Sequence, residues 1–158
     1  MKILGIDPGL SQFGYAILDF SENGEIELIC AGDIVSKKGE QKRLLKIFQT
    51  LSDILSTYTP EVCIIEKVFI NINKLSSLNL GQARGVAILC CEMANKPYLE
   101  IGATSVKKNI LGNGRASKSE IQTYVFNRFD IKLRANACDA IVIALCYSNL
   151  KEKIENFP

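Results

Sequence analysis

A short apolar run that does not alternate constrains the fold more than any other feature of this sequence. The run, Val62-Cys-Ile-Ile-Glu66, is polar only at its last residue. A strand with one face in water alternates apolar and polar residues, whereas a parallel strand covered on both faces is apolar throughout. The run therefore predicts a mixed α/β fold, with an acid at the carboxyl end of a buried parallel strand.

A meander of three strands precedes that run. Lys2 to Asp7 is mostly apolar and ends in an acid, after which Pro8-Gly9 break the strand. Phe13 to Phe20 and Ile26 to Ile34 form an antiparallel pair in this interpretation, because Asn23-Gly24 between them supplies the positive φ angles of a tight hairpin turn. We expect the three strands to be adjacent.

Helical periodicity marks most of the remaining chain. Apolar residues recur at helical spacing over residues 40 to 58, and this helix stops before Pro60. Further elements are predicted at 75 to 94 (helix), Pro97 to Ile101 (strand), Ser117 to Phe129 (helix) and Asn136 to about Ile154 (helix). Right-handed crossovers place the fourth strand beside the first, which gives a five-stranded mixed sheet of order 3-2-1-4-5.

Length and composition set the class of protein. The 158 residues are 47% apolar, which suits a single domain over residues 1–158 that buries roughly 70% of its unfolded surface. The run from Met1 meets the charge of Asp7 too early for a signal peptide, and no apolar stretch approaches the ~20 residues of a membrane span. We therefore expect a cytoplasmic protein with no membrane partner.

The content of reactive residues narrows the chemistry. With no histidine, Ser–His and Cys–His nucleophiles are excluded, and acid–base chemistry falls to carboxylates, lysines and metal ions. Six cysteines form no CxxC pair and most lie in apolar runs, which predicts buried, reduced thiols. Between residues 103 and 134, seven lysines and arginines stand against two acids. Such an excess suits a nucleic-acid partner, although charge runs are also common on solvated faces.

Three acids and one amide are the candidate catalytic residues. Asp7 and Glu66 end strands predicted to lie about 4.8 Å apart, at the edge where open α/β sheets bind ligands. Each acid alone has an ordinary structural interpretation, but two adjacent carboxylates repel each other unless a cation or proton lies between them. Asn136 and Asp139 open the last helix; their spacing is typical of an N-cap, and it also puts both side chains on one helical face.

Four motifs occur in order along nearly the whole chain. They are Ile3-Leu-Gly-Ile-Asp7-Pro-Gly9, Ile65-Glu66-Lys-Val-Phe69, Leu80-Gly-Gln-Ala-Arg-Gly-Val-Ala87 and Asp139-Ala-Ile-Val-Ile-Ala144. Together they resemble the RuvC family of Holliday junction resolvases, and the third motif is the most specific of the four. The resemblance implies an RNase H-like fold and an endonuclease that resolves four-way DNA junctions in recombination and repair.

The same resemblance implies cofactors, partners and site residues. It implies a homodimer that nicks two strands symmetrically, with two Mg²⁺ ions per active site, for which Mn²⁺ substitutes. A branch-migration motor complex is the implied protein partner. The implied metal ligands are Asp7, Glu66, Asp139 and Asn136. The implied DNA-binding residues are Phe69, which would stack on bases opened at the crossover, and the basic side chains of Lys107, Lys118, Lys108 and Arg115.

Two glycines lie one turn apart in the helix predicted over residues 75 to 94. Each interior glycine costs a helix about 1 kcal/mol relative to alanine, so Gly81 and Gly85 on one face predict the close approach of another backbone. In the family this helix contributes to the dimer seam. The resemblance therefore implies that a second copy of the chain is that neighbour, and a twofold dimer matches a junction with two equivalent strands.

Asn136 departs from the family pattern, which has an aspartate or in some members a histidine at this position. An amide oxygen can coordinate Mg²⁺ but brings no negative charge, so the second ion should bind less well. Even the loss of a residue that only hydrogen-bonds a metal ligand, without contacting the metal, costs about 10- to 100-fold in metal affinity or activity. We expect junction binding to survive while cleavage is weak, and Asn136→Asp to raise the Mg²⁺-dependent rate.

Three other functions fit parts of the sequence. The Gly5-Ile-Asp7-Pro-Gly9 segment also opens sugar kinases and Hsp70-like ATPases, but those proteins clamp nucleotide between two related domains and this chain has one. A catalytically impaired junction-binding protein is favoured by Asn136 alone. Another RNase H-like nuclease, acting on RNA or duplex ends, is separated from a resolvase by competition between junction and linear DNA.

Overall fold

The computed structural model describes residues 1–37, 39–68 and 74–150, without the side chain of Lys74. In chain order the elements are β1 (Lys2–Asp7), β2 (Gln12–Phe20), β3 (Ile26–Val35), α1 (Arg43–Tyr58), β4 (Val62–Glu66), α2 (Lys74–Met93), β5 (Tyr98–Ile101), α3 (Ala103–Leu111), α4 (Lys118–Phe129) and α5 (Ala135–Leu145). All five predicted strands and all four predicted helices are present, and every boundary but the end of the last helix lies within three residues of its predicted position.

The five strands form one sheet of order β3-β2-β1-β4-β5, which confirms the predicted mixed sheet. β1 is antiparallel to β2 and parallel to β4, with Ile6 opposite Ile65. Asp7 and Glu66, the next residues in this register, therefore end neighbouring strands at the same edge of the sheet. The pairing of the two strands is therefore enough to bring the two acids together, without any contribution from a helix.

The sheet is covered by helices on both faces, as the run over β4 predicts. Val62 and Ile64 pack in a core with α3, α4 and α5, while Cys63 and Ile65 pack in a second core with α1 and α2. Both isoleucines are fully buried, and burying each side chain stabilises the fold by roughly 1.5–3 kcal/mol. The absence of alternation in β4 thus follows from burial on both sides.

Helix α5 lies directly against the sheet, with nine of its eleven residues buried. Its backbone approaches β1 and β2 at two glycines. A Cβ on Gly5 would lie 2.1 Å from the carbonyl oxygen of Ala140, and a Cβ on Gly14 would lie 2.1 Å from that of Asn136. Only glycine allows this contact, which sets the depth at which the start of α5 meets the sheet edge.

The structure differs from the predicted elements in two places. Helix α3 was not predicted, because Val106 is its only fully buried residue and the apolar periodicity is weak, although Gly112 ends it in a left-handed conformation typical of a C-cap. Helix α5 ends at Leu145 instead of near Ile154, and a further helical turn follows over residues 147–150. Residues 151–154 of the predicted helix lie outside the described residues.

The cysteines are free thiols, as their spacing in the sequence predicts. All six cysteines are free, and five of them are buried. Burial raises the pKa of Cys138 to about 11 and that of Cys146 to about 12, so these thiols are protonated and unreactive at neutral pH. Among the described helices, none combines the length and apolarity needed to cross a membrane.

Candidate metal and nucleic-acid site

The centre of the site is a pair of carboxyl groups at the ends of β1 and β4. Asp7 and Glu66 lie within hydrogen-bonding reach of each other, and two carboxyl groups so close repel each other unless a proton or a cation lies between them. Burial, followed by the charge of Glu66, raises the pKa of Asp7 well above its usual range. Burial also raises the pKa of Glu66, so the metal-free pair retains a proton far more readily than two solvated acids would.

The third acid, Asp139, is on α5 beside this pair. Its negative charge raises the pKa of both Asp7 and Glu66, while burial raises the pKa of Asp139 itself. Among the described residues, however, no three side chains of His, Cys, Asp or Glu are already close enough to hold one metal ion. Asp139 thus lies next to the acid pair, but the three carboxylates do not form a closed cluster.

Asn136 is a buried residue of the first helical turn, with 8% of its surface exposed. It is not the N-cap that the spacing suggested, because α5 begins one residue earlier and Arg134 is the cap, with no side-chain capping bond. Its amide nitrogen Nδ2 donates to Gln12, and its oxygen Oδ1 accepts from Lys118 at 3.3 Å. The side chain is therefore aimed at the sheet edge and the acids.

Two of the predicted basic residues reach the acids. The ammonium nitrogen of Lys118, at the start of α4, is 3.8 Å from Oδ2 of Asp139. Lys107, on α3, lowers the pKa of Glu66 and of Asp139 through its charge. Both side chains remain partly or largely exposed, which leaves their charges available to an incoming phosphate.

The other predicted DNA-binding residues have no described contact with the acids. Lys108 is exposed on α3, and Arg115 is exposed in the loop before α4, where its main-chain N–H donates to Asn113. Neither has a described interaction with the three acids. Phe69 lies outside the described residues, so its predicted stacking role stays a prediction.

Two residues of the site were missed from the sequence. Gln12, at the start of β2, accepts from the amide of Asn136. Asp33, on β3, lies near the first turn of α5; burial raises its pKa, the charge of Arg134 opposes that rise, and its Oδ1 is buried with no hydrogen-bond partner among the described residues. An acid inside an apolar strand was a visible signal for Asp33, whereas nothing local marks Gln12.

An open cleft of about 520 Å³ lies beside the acid pair. It is bounded by the β1–β2 turn, the end of β3, the start of α2 and the first residues of α4 and α5. Its polar lining comprises Asp7, Ser11, Gln12, Ser36, Ser76, Asn79, Lys118 and Asn136. The cleft is large enough to admit a nucleotide next to the carboxylates.

The donor set fits a hard divalent cation. Carboxylate and amide oxygens suit Mg²⁺ and Mn²⁺, and a cation between Asp7 and Glu66 would remove the repulsion between the two carboxylates. The Lys118 ammonium group already contacts both Oδ1 of Asn136 and Oδ2 of Asp139, so these two oxygens converge on one positive charge. The residues present are therefore compatible with metal binding at this edge.

The chain is similar to proteins of one family over most of its length. A family model described as "Crossover junction endodeoxyribonuclease RuvC" matches residues 3–147. A protein of that name from Wolbachia sp. subsp. Drosophila simulans is 39% identical over 156 residues, which cover 96% of each chain. Another from Cupriavidus pinatubonensis is 40% identical over 154 residues, covering 94% of this chain and 84% of the relative.

Solved structures share the fold. The structure of Thermus thermophilus RuvC has a TM-score of 0.82 at 24% sequence identity, covering 97% of this chain and 96% of that one. The same protein in complex with a Holliday junction substrate has a TM-score of 0.84 at 20% identity, with the same coverage. At this identity the similarity establishes a common RNase H-like fold.

Proposed function

The chain belongs to the RuvC family of crossover junction endodeoxyribonucleases, and from this premise we propose that it resolves four-way DNA junctions by paired, symmetric nicks. Support comes from the family match over residues 3–147 and from an open cleft that is lined by Asp7, Lys118 and Asn136. The substrate is that of its structural neighbour from T. thermophilus, which was solved with a Holliday junction.

One observation carries the proposal. Asp7 and Glu66 end adjacent parallel strands and lie against each other in a buried setting, with the charge of Asp139 close enough to raise the pKa of both. Three acids that destabilise one another when ionised make a poor structural site. They make a good site for a divalent cation, because the cation removes the repulsion that the fold imposes.

The proposed metal ligands are Asp7, Glu66, Asp139 and Asn136. When bound, Mg²⁺ or Mn²⁺ would supply an activated water for attack on the phosphodiester and charge stabilisation for the leaving 3′ oxygen. The protein's own part is to hold the oxygens at the rigid ends of β1, β4 and α5, so that little reorganisation is needed when substrate arrives. Burial of these side chains also limits their solvation by bulk water.

The lysines of the site are proposed to bind the DNA backbone. Lys107 and Lys118 lie close enough to the acids to lower their pKa values, so a phosphate held by the lysines would lie beside the carboxylates. Lys108 and Arg115 would extend this contact along the strand, and Phe69 would stack on an opened base.

A homodimer is the proposed working form. Among the described residues, none lies within 4 Å of a Cβ added to Gly81 or Gly85 of α2 beyond the helix itself, so the described part of the chain does not make the close backbone contact predicted from these glycines. The exposed leucines and methionine of the same helix are Leu75, Leu78, Leu89 and Met93. A second copy would cover this surface. A branch-migration motor as partner and action in the cytoplasm stay predictions.

A second candidate function is junction binding with impaired cleavage. It is favoured by the neutral side chain of Asn136, which is buried and hydrogen-bonded on both sides. In that case the chain would bind a four-way junction through its lysines, while the rate of nicking would be limited by weak binding of the second cation.

A metal titration separates these functions. Nicking of a synthetic four-way junction is measured against Mg²⁺ and Mn²⁺ for the wild type, Asn136→Asp and Glu66→Gln, with linear duplex as competitor. We expect symmetric nicks that need the cation, a higher rate for Asn136→Asp and no nicking for Glu66→Gln. Tight junction binding without nicking at any metal concentration would favour the binding protein, and equal competition by linear duplex would contradict junction selectivity.

A further inference from the structure

Asn136 is held from two opposite sides. Its amide nitrogen Nδ2 donates to the main-chain carbonyl oxygen of Gln12 at 3.3 Å and to the side-chain Oε1 of Gln12 at 3.1 Å. Its oxygen Oδ1 accepts from the ammonium nitrogen of Lys118 at 3.3 Å. Both ends of the amide thus have partners, although the residue is only 8% exposed.

The chemistry of these partners fixes which way the amide faces. A main-chain carbonyl can only accept a hydrogen bond, and an ammonium group can only donate one. Turning the amide of Asn136 by 180° would place its oxygen against the carbonyl oxygen of Gln12 and its N–H groups against the charge of Lys118. The reversed orientation has two mismatches, so Oδ1 stays on the side of Lys118.

That side is also the side of the acids. The Lys118 ammonium nitrogen is 3.8 Å from Oδ2 of Asp139, so Oδ1 of Asn136 and a carboxylate oxygen one helical turn away face the same positive charge. Gln12 is itself held in place, because it pairs with Val35 of β3 and because Gly14, two residues on, packs against the backbone of Asn136.

We propose that Gln12 is a positioning residue, which binds both amide protons of Asn136 and so presents its carbonyl oxygen to the metal site. The inference rests on the proposed role of Asn136 as a ligand, and it names what makes a neutral ligand effective there. An asparagine can turn either way, whereas a carboxylate has equivalent oxygens; a neutral fourth ligand therefore needs an orienting partner that an aspartate does not.

A consequence follows for the aspartate variant. Asn136→Asp removes both donors to Gln12 and puts a carboxylate oxygen near the main-chain carbonyl oxygen of residue 12. The side-chain amide of Gln12 can turn and donate to this carboxylate. A glutamate side chain has no such donor when ionised, so Gln12→Glu should preserve the contact to Asn136 but repel the carboxylate that Asn136→Asp introduces in the double variant.

The first test compares Gln12→Ala with Gln49→Ala, a matched change at an exposed glutamine of α1. The readouts are the side-chain amide NMR signals of Asn136 in the metal-free protein and Mn²⁺ affinity by EPR. Gln12→Ala keeps the main-chain acceptor of residue 12 and removes only the side-chain acceptor at 3.1 Å, so we expect one of the two Asn136 amide protons to shift and to exchange faster, and Mn²⁺ binding to weaken about 10-fold, the lower end for loss of a ligand's support. The control should change neither.

The second test uses the charge of residue 12. Gln12→Glu keeps an accepting oxygen, so the Asn136 amide signals should stay distinct and Mn²⁺ affinity should be at least that of the wild type. Combining Gln12→Glu with Asn136→Asp should remove any gain that Asn136→Asp gives alone. Should Gln12→Ala fail to fold, the amide signals and Mn²⁺ affinity of Gln12→Glu still decide the question.

Two results would overturn the proposal. One is that Gln12→Ala matches Gln49→Ala in both the Asn136 amide signals and the Mn²⁺ affinity. The other is that Gln12→Glu, which keeps an accepting oxygen, nevertheless shifts the Asn136 amide signals and weakens Mn²⁺ binding. Failure of the proposed function is distinguishable, because a protein that never nicks junctions can still lose Mn²⁺ affinity and Asn136 amide order when Gln12 is changed.

Discussion

Gly14 lies where β2 passes the first turn of α5, and a methyl group has no room there. A Cβ added to Gly14 would be 2.1 Å from the carbonyl oxygen and 2.5 Å from the carbonyl carbon of Asn136. Ordinary van der Waals contact starts at 3.4 Å, so strand and helix must separate by roughly 1 Å. Overpacking of this kind costs about 1–3 kcal/mol, and the part that moves carries Asn136 and Asp139.

We therefore expect Gly14→Ala to lower both stability and activity. A displacement of about 1 Å at a catalytic group can cost on the order of 100-fold in rate, so the loss of junction nicking should exceed what the loss of folded protein explains. The measurements are urea unfolding and single-turnover nicking of a synthetic junction in Mn²⁺, both at a temperature where the variant remains folded.

The control is Gly24→Ala in the hairpin between β2 and β3. Gly24 has φ of 87° and nothing within 4 Å of an added Cβ, so alanine costs about 1–2 kcal/mol of left-handed backbone strain at a place far from the acids in the fold. We expect a similar loss of stability with an unchanged rate. The reasoning is refuted if Gly14→Ala nicks at the wild-type rate, or if Gly24→Ala slows nicking as much.

Three further predictions concern other parts of the molecule. Arg84→Lys should lower the unfolding midpoint by about 1–3 °C in a thermal scan, because lysine cannot replace the two-point contact of Arg84 with Glu100, a partly exposed pair that contributes under about 1 kcal/mol; an unchanged midpoint would contradict this. In metal-free protein, the folded-state pKa of Asp7 lies above its unfolded value, so its contribution to stability is present at low pH and lost as the pH rises through the folded pKa. Between pH 4 and 8, the free energy of unfolding should therefore fall less for Asp7→Asn than for the wild type. Equal falls in the two proteins would rule out the raised pKa. Gly85→Ala should stabilise the isolated chain by about 1 kcal/mol yet weaken the dimer in analytical ultracentrifugation, whereas an unaltered dissociation constant would place the dimer seam elsewhere.

Much of the fold could be read from the sequence because it depends on local pattern. The apolar run of β4 predicts burial on two faces, and Asn23-Gly24 predicts the hairpin, so together they determine the order of the strands. Helix α3 escaped because it buries only Val106 fully, and a helix with one buried position has little periodicity to detect.

The site was predictable as far as it lies at strand ends. Asp7 and Glu66 meet because parallel strands share an edge, which the sequence pattern alone implies. The N-cap interpretation of Asn136 was wrong, because α5 begins one residue earlier with Arg134 as its cap, and this start is set by the packing of α5 on the sheet; the role of Asn136 as a metal ligand stays a prediction. Gln12 could not have been found, since its partner is 124 residues away and glutamine has no preference that marks such a contact.

The burial of α5 has a consequence for how this protein loses activity on heating. Nine of the eleven residues of the helix are enclosed by the sheet and by neighbouring helices, so α5 has no exposed face from which it could fray without opening the core. Its main-chain amides should exchange with deuterium only through global unfolding. Asn136 and Asp139 should therefore keep their geometry up to the temperature at which the whole domain melts.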